Sequence, residues 1–121
     1  LRWEAPVQTF FRTTTRAVEV AGVTIPESAK VLLFLGAANR DRRRFENPEV
    51  FDIRRRPIGH VAFGTGIHTC VGQLVARLEA DVILNAMISR VSAIEFTGEP
   101  TRKPNNTLRC LGTLPVELKA A

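Results

Sequence analysis

The sequence predicts an α+β protein built of short strands and hairpins around one long helix. Three observations carry this. Runs of β-branched and aromatic residues are short and are separated by turn residues. One stretch, Val71 to Val91, keeps its apolar residues at the spacing of a single helix face. Strands and helices do not alternate, so a doubly wound parallel sheet is not expected.

The elements follow in order. Phe10 to Thr15 is rich in β-formers and reads as a strand. Val18–Val20 and Val23–Ile25 flank Ala21-Gly22, a tight hairpin signal. Pro26 to Ala29 is a second turn, and Val31 to Leu35 reads as a buried strand. Ala37 to Asp41 is expected to make one helical turn. From Arg42 to Gly66 the periodicity disappears, punctuated by Pro48, Pro57, Gly59, Gly64 and Gly66. A run of this length without regular structure inside a compact domain is functional or disordered. Phe45, Phe51 and Phe63 argue against disorder, because each needs a core to bury in. In the following helix Val71, Leu74, Val75, Leu78, Val82, Ala86 and Val91 form the apolar stripe, read as a core face, with Arg77, Glu79, Asp81 and Asn85 between them. Ala93 to Thr97 is then a short strand and Pro100 to Asn106 a loop. Leu108–Leu111 and Leu114–Leu118 are expected as two strands around Gly112-Thr113.

The chain has 121 residues, 45% hydrophobic and 24% charged, the balance of a globular protein. That length suits one domain at most. No apolar run approaches the roughly 20 residues that span a bilayer, so no membrane segment is expected. The chain opens Leu1-Arg2-Trp3-Glu4 with neither Met nor a signal peptide, as expected of a piece of something longer. The net charge is +5, and over half of that excess lies between Arg40 and Arg56, with seven Arg against four acids. Such a stretch attracts anions, or is a solvated loop with local ion pairs. Two cysteines, Cys70 and Cys110, are too few for a disulfide scaffold and point to a reducing, cytoplasmic compartment.

The chemistry concentrates in Phe63-Gly64-Thr65-Gly66-Ile67-His68-Thr69-Cys70-Val71-Gly72. Two glycines at alternate positions permit positive φ and close approach to a flat or bulky ligand. The loop then delivers Cys70 to the start of the helix, whose unsatisfied N–H groups favour a thiolate. A thiolate there is a metal ligand or a nucleophile. His68 can donate to a nearby anionic group.

These ten residues resemble the haem-binding loop of the cytochrome P450 family, with Phe, Gly, His, Cys and Gly at the family's offsets. The resemblance extends further. Leu1-Arg2 is similar to the end of the family's Glu-x-x-Arg element, whose Glu would lie two residues before Leu1. Asn39-Arg40-Asp41 resembles the run before the family's meander, and Phe51-Asp52-Ile53-Arg54-Arg55 the meander itself. The chain then corresponds to the C-terminal part of the cytochrome P450 fold, of the soluble bacterial type. It divides into strands and a short helix (1–41), meander (42–62), haem-binding loop (63–72), long helix (73–91) and C-terminal strands (92–121).

The resemblance implies a role for each residue. Cys70 would be the axial ligand of the iron of haem b (iron protoporphyrin IX). Backbone N–H groups after it, towards Gly72, would tune the sulfur. Phe63 would shield the sulfur from water, and Gly64 and Gly66 would let the loop lie against the porphyrin. Arg12 and His68 would face the propionates. Arg2 and Arg55 would lock the meander, as structural residues. Val7, Gln8, Thr9 and Phe10 would line the substrate pocket, with Leu108 and the turn after it. Pro6 to Arg12 resembles a bacterial subgroup that oxidises para-substituted benzoic acids.

The implied reaction is monooxygenation of a small organic substrate by O2, with electrons from a ferredoxin-type donor and no role for nucleic acid. The upstream oxygen-activating helix and the Glu of Glu-x-x-Arg fall outside this sequence. The isolated chain is therefore expected to bind haem weakly or not at all, to be inactive, and to self-associate through exposed apolar surface. Other readings stand beside this one. Cys70 alone would read as a buried thiol. His60, His68, Cys70 and Cys110 could supply a zinc site, although their spacing fits no zinc pattern. The basic run could belong to a nucleic-acid or anion-binding module without haem, although no reading element accompanies it.

Overall fold

A computed structural model of the chain describes residues 1–56 and 58–121; Pro57 lies outside the described residues. The chain falls into two compact units. One comprises Leu1–Ala62 with Asn105–Arg109, the other Phe63–Pro104 with Cys110–Ala121.

In the first unit, β1 (Thr9–Thr13) pairs antiparallel with β4 (Lys30–Phe34), Phe11 opposite Leu32 and Arg12 opposite Val31. Between them lies the hairpin of β2 (Val18–Val20) and β3 (Val23–Ile25). Its turn residues Ala21 and Gly22 both have positive φ, 50° and 79°, which matches the right-handed twist of the strands. The turn after β3 closes through Thr14, whose hydroxyl accepts the Ala29 N–H at 2.9 Å and whose carbonyl accepts the Ser28 N–H. The strand expected at Val31–Leu35 starts and stops one residue earlier. It is also not buried: alternate residues are exposed, because the sheet has two strands and a single partner. The helical turn expected at Ala37–Asp41 forms earlier, as α1 (Leu35–Ala38).

The described residues between Arg42 and Ala62 form a succession of turns, held by side chains in place of a ladder. Arg2 is buried and donates to the carbonyls of Asn39 at 2.7 Å and Pro48 at 3.0 Å. Its guanidinium also lies 5.1 Å from the centre of the Phe45 ring. Asn39, only 1% exposed, accepts the Val61 N–H through Oδ1 at 2.7 Å. Arg55 donates to the carbonyls of Glu46 at 2.6 Å and Asn47 at 3.2 Å. Trp3 Nε1 donates to the Glu49 carbonyl, and its ring meets Phe51 edge-on at 5.5 Å. Of the three phenylalanines expected to bury, only Phe45 does so. Phe63 is half-buried and Phe51 is exposed, with Trp3 against one side of its ring.

The second unit opens with the Phe63–Gly72 loop, containing one 3-10 turn at Gly66–His68, and continues into α2 (Gln73–Arg90). The helix starts two residues after Val71, the first residue of the expected stripe, and stops one residue before Val91, the last. Its stripe is nevertheless not a core face, for no residue of α2 is buried and Leu74 is 74% exposed. Ile83, Leu84 and Ile88 extend the apolar surface beyond the stripe, the pattern of a helix suited to being surrounded.

After it β5 (Val91–Phe96) pairs antiparallel with β8 (Val116–Ala120), and β6 (Thr101–Arg102) with β7 (Leu111–Thr113). This corrects the expected C-terminal strands. Leu108 forms a lone bridge to Val7. Gly112 and Thr113 lie inside a strand, where the Thr101 and Thr113 hydroxyls meet at 2.8 Å across the pair.

Candidate functional site

The Phe63–Gly72 loop is shaped by its backbone. The Cys70 N–H donates to the Phe63 carbonyl at 2.7 Å, closing the loop into a ring of chain. Gly64 and Gly66 have φ of 72° and 58°, in the left-handed region that glycine tolerates. A Cβ on Gly64 would collide with the His68 carbonyl oxygen, so the position excludes a side chain on two counts. A Cβ on Gly66 would meet open space. Thr69 caps the 3-10 turn, its backbone N–H and hydroxyl both donating to the Gly66 carbonyl.

Cys70 is a free, exposed thiol three residues before α2, and its carbonyl accepts the Gln73 N–H at 3.3 Å. Gly72, just before the helix, would place a Cβ 3.9 Å from the Cys70 sulfur. His68 is exposed, and Phe63 stacks beneath the Arg77 guanidinium at 5.3 Å. One loop therefore carries Phe63, Gly64, Gly66, His68, Cys70 and Gly72 together. Cys110, in the same unit, is also a free thiol.

The remaining candidates belong to the first unit. Arg12 stands in β1, half-buried, donating to the Phe11 carbonyl at 2.8 Å and lying 5.2 Å from the centre of the exposed Phe10 ring. Val7 and Leu108 are brought together by their antiparallel bridge. The Gln8 N–H donates to the Thr107 carbonyl at 2.7 Å, and the Thr9 hydroxyl to that of Asn106 at 3.0 Å. A cavity of about 350 Å³ in this unit is lined by Arg2, Trp3, Glu4, Gln8, Gly36, Arg40 and Arg109; of the expected pocket residues only Gln8 reaches it. A Cβ on Gly36 would meet the Gln8 carboxamide, which would have to shift to admit it.

Arg2 and Arg55 both donate to backbone carbonyls of the turn-rich segment. Burial pulls the Arg2 guanidinium below its ordinary pKa, and the charges of Arg55 and Arg40 lower it further against an opposing pull from Glu49. Among the described residues, the buried Nε of Arg55 and Nδ2 of Asn39 have no hydrogen-bond partner. Within the basic run, Arg43 grips Asp41 with three side-chain contacts and its own backbone N–H. That side-chain bond, then the backbone bond, lowers the Asp41 pKa to about 2. His60 is held in its loop, accepting the Ala62 N–H on Nδ1 at 3.2 Å.

Two features escaped sequence reading. Asn39 appeared only as part of a resembling run, yet it is the buried joint of its unit. Glu4, Arg40 and Arg109 form an ion network whose members no local period could associate.

The cytochrome P450 family model matches residues 1–120. Cytochrome P450 CYP199A2 of Rhodopseudomonas palustris is 60% identical over 121 residues, covering all of this chain and 29% of that protein. The biotin biosynthesis cytochrome P450 of Bacillus subtilis is 42% identical over 117 residues, covering 96% of this chain and 30% of that one. Among solved structures, P450BioI in complex with hexadec-9Z-enoic acid ligated acyl carrier protein superposes with a TM-score of 0.92 at 41% identity, covering 98% of this chain and 31% of that one. CYP109Q5 from Chondromyces apiculatus gives 0.90 at 42% identity, covering 100% and 32%. The chain spans less than a third of the length of these relatives. With the family model covering nearly every residue, and the fold and identity agreeing, the chain belongs to the cytochrome P450 family.

Proposed function

We propose that this chain is the cysteine-ligand portion of a haem-thiolate monooxygenase, with Cys70 as the axial ligand of haem b. The carrying observation is the Cys70 loop: an exposed thiol on a closed ring of backbone, with both glycines at positive φ and open space beside Gly66. Those features fit a flat macrocycle. A sulfur without cover is available to iron, and a loop face without a side chain at Gly66 admits a plane alongside. Arg12 and His68 are the groups for the propionates, and with haem bound Phe63 would shield the sulfur side from water. Gly72 keeps the space beside the sulfur small-sided. Haem supplies the iron at which O2 is activated, so that one oxygen atom enters the substrate and the other leaves as water with two electrons and two protons.

The substrate is a small organic molecule, and the Pro6–Arg12 resemblance points to a para-substituted benzoic acid. Val7, Gln8, Thr9, Phe10 and Leu108 line its pocket. Support for a pocket wall comes from the Val7–Leu108 bridge, which brings two of the five together. The electron donor is an acidic, ferredoxin-type carrier docking in the cytoplasm on the basic run, where Arg42, Arg54 and Arg56 are exposed.

The test is the CO difference spectrum of a reduced full-length protein carrying this chain, beside its Cys70→Ala variant. A strongly red-shifted Soret band, lost in the variant, is the expected result. Absence of haem from the folded full-length protein would end this reading. The 121-residue chain alone is inactive and holds haem weakly or not at all; stoichiometric haem and turnover by the purified chain would refute that part.

A further inference from the structure

The bridge between Val7 and Leu108 is short. It consists of one paired position, with the Gln8 N–H donating to the Thr107 carbonyl at 2.7 Å and the Arg109 N–H to the Pro6 carbonyl at 2.8 Å. The turn before it is local, since Asn105 Oδ1 accepts the N–H groups of Thr107 at 2.9 Å and Leu108 at 2.7 Å. Such a ladder specifies its register weakly, and a one-residue slip would turn every side chain to the opposite face. Leu108 would then leave the side on which it stands with Val7.

Two contacts outside the ladder resist that slip: the Thr9 hydroxyl donates to the Asn106 carbonyl at 3.0 Å, and an ion pair acts beside Leu108 itself. The Arg109 guanidinium, adjacent in sequence to Leu108, is paired with the Glu4 carboxylate. Glu4 also faces Arg40 at 4.0 Å, and Arg40 is fixed separately by the Glu49 carboxylate at 2.5 Å and the Trp3 carbonyl at 2.8 Å. The carboxylate that holds Arg109 therefore belongs to a frame independent of the Asn105–Arg109 turn.

We infer that Glu4 and Arg109 form a clamp that sets which face Leu108 presents beside Val7, and so influences which atom of the substrate is oxidised. This rests on the reading of Val7 and Leu108 as pocket residues. Glu4 and Arg109 are positioning residues and touch no reacting atom. Both are partly exposed, so water and salt screen the pair, and its loss displaces the turn without unfolding the unit.

The experiment uses the haem-loaded full-length protein with Glu4→Gln, Arg109→Gln, the double variant and Glu4→Asp. Hydrogen exchange is read at Gln8 and Arg109, the two ladder donors, with Phe11 and Val31 of the β1·β4 pair as controls. Product distribution is read with 4-ethylbenzoate, whose side chain offers alternative carbons. Each Gln variant is expected to speed exchange at Gln8 and Arg109 by about fivefold, leave the controls unchanged, alter the product ratio, and raise KM more than it lowers kcat. The double variant is expected to match the worse single variant, and Glu4→Asp to restore most of the ratio. Unchanged exchange in both single variants, additive losses in the double, or equal acceleration of the controls would overturn the clamp. If the wild type does not oxidise 4-ethylbenzoate, the substrate reading fails, and the exchange data decide the clamp alone.

Discussion

In the unit formed by Leu1–Ala62 and Asn105–Arg109, the most buried side chains include an arginine and an asparagine, each satisfying backbone groups of distant turns. In the unit formed by Phe63–Pro104 and Cys110–Ala121, an 18-residue helix rich in Leu, Ile and Val has no buried residue at all. The usual placement of polar and apolar groups is reversed between them. Among the described residues of 42–62 the first unit has no ladder, so buried carbonyls in and beside this stretch must find donors, and Arg2 supplies two from one side chain. The second unit has its backbone satisfied by the helix itself, which leaves the side chains available for another surface. Self-sufficiency and exposed apolar area are thus traded between two parts of one short chain.

Four measurements test that contrast. The largest effect is expected from Arg2→Ala, which strips donors from the carbonyls of Asn39 and Pro48 in a buried setting. The expected loss is about 3 kcal/mol, read by denaturant unfolding of a full-length protein, with new protease cleavage between Arg40 and Val61. A loss under about 1 kcal/mol would mean that these bonds do not hold the turns.

Next comes Gly64→Ala, which forces a non-glycine residue to φ 72° and drives its Cβ into the His68 carbonyl. It should cost about 2 kcal/mol or more and loosen retention of haem. Gly66→Ala, at φ 58° with open space around it, should cost about 1 kcal/mol. Equal costs at the two positions would contradict the collision argument.

The helix face offers a smaller test. In the 121-residue chain on its own, Leu78→Glu with Ile88→Lys should weaken self-association by about tenfold or more, since each removes a large exposed apolar side chain. Sedimentation velocity reads this, while helicity should stay unchanged. Association that persists undiminished would place the contact elsewhere.

The smallest effect is the titration of Asp41. Its folded pKa, about 2, lies below the ordinary carboxylate range because Arg43 hydrogen-bonds the ionised form. A depressed carboxylate stabilises fully above about pH 4 and loses that contribution as pH falls towards 2. An NMR titration should give a midpoint near 2, returning to the ordinary range in Arg43→Ala. An unaltered midpoint in that variant would remove Arg43 as the cause.

What was legible in the sequence was what repeats locally. The 3.6-residue spacing from Leu74 onward located α2, Ala21-Gly22 marked its hairpin, and Gly64 and Gly66 adopt the positive φ for which glycine was read. The family, too, was legible, because the loop around Cys70 is contiguous. Pairings between distant short segments were not. Thr101–Arg102 read as loop because two residues carry no alternation, and they become a strand only against Leu111–Thr113. Burial of the α2 stripe was overread, since periodicity reports a face and not its partner. Asn39 was underread because a polar residue gives no apolar signal even at 1% exposure.

Asn39 has a consequence for how this chain can change length. Its carbonyl takes the Arg2 guanidinium and its Oδ1 takes the Val61 amide, so one residue fastens both ends of the stretch that follows it. The exit and re-entry points of that stretch are fixed to each other, independently of the path between them. Extra residues at its exposed bends, beside Ile53 or Ile58, would leave the closure point in place. Their entropic cost grows only logarithmically, about 0.6 kcal/mol for each doubling of the loop. The segment leading to the cysteine loop is therefore a place where insertions can accumulate without moving the point from which that loop departs.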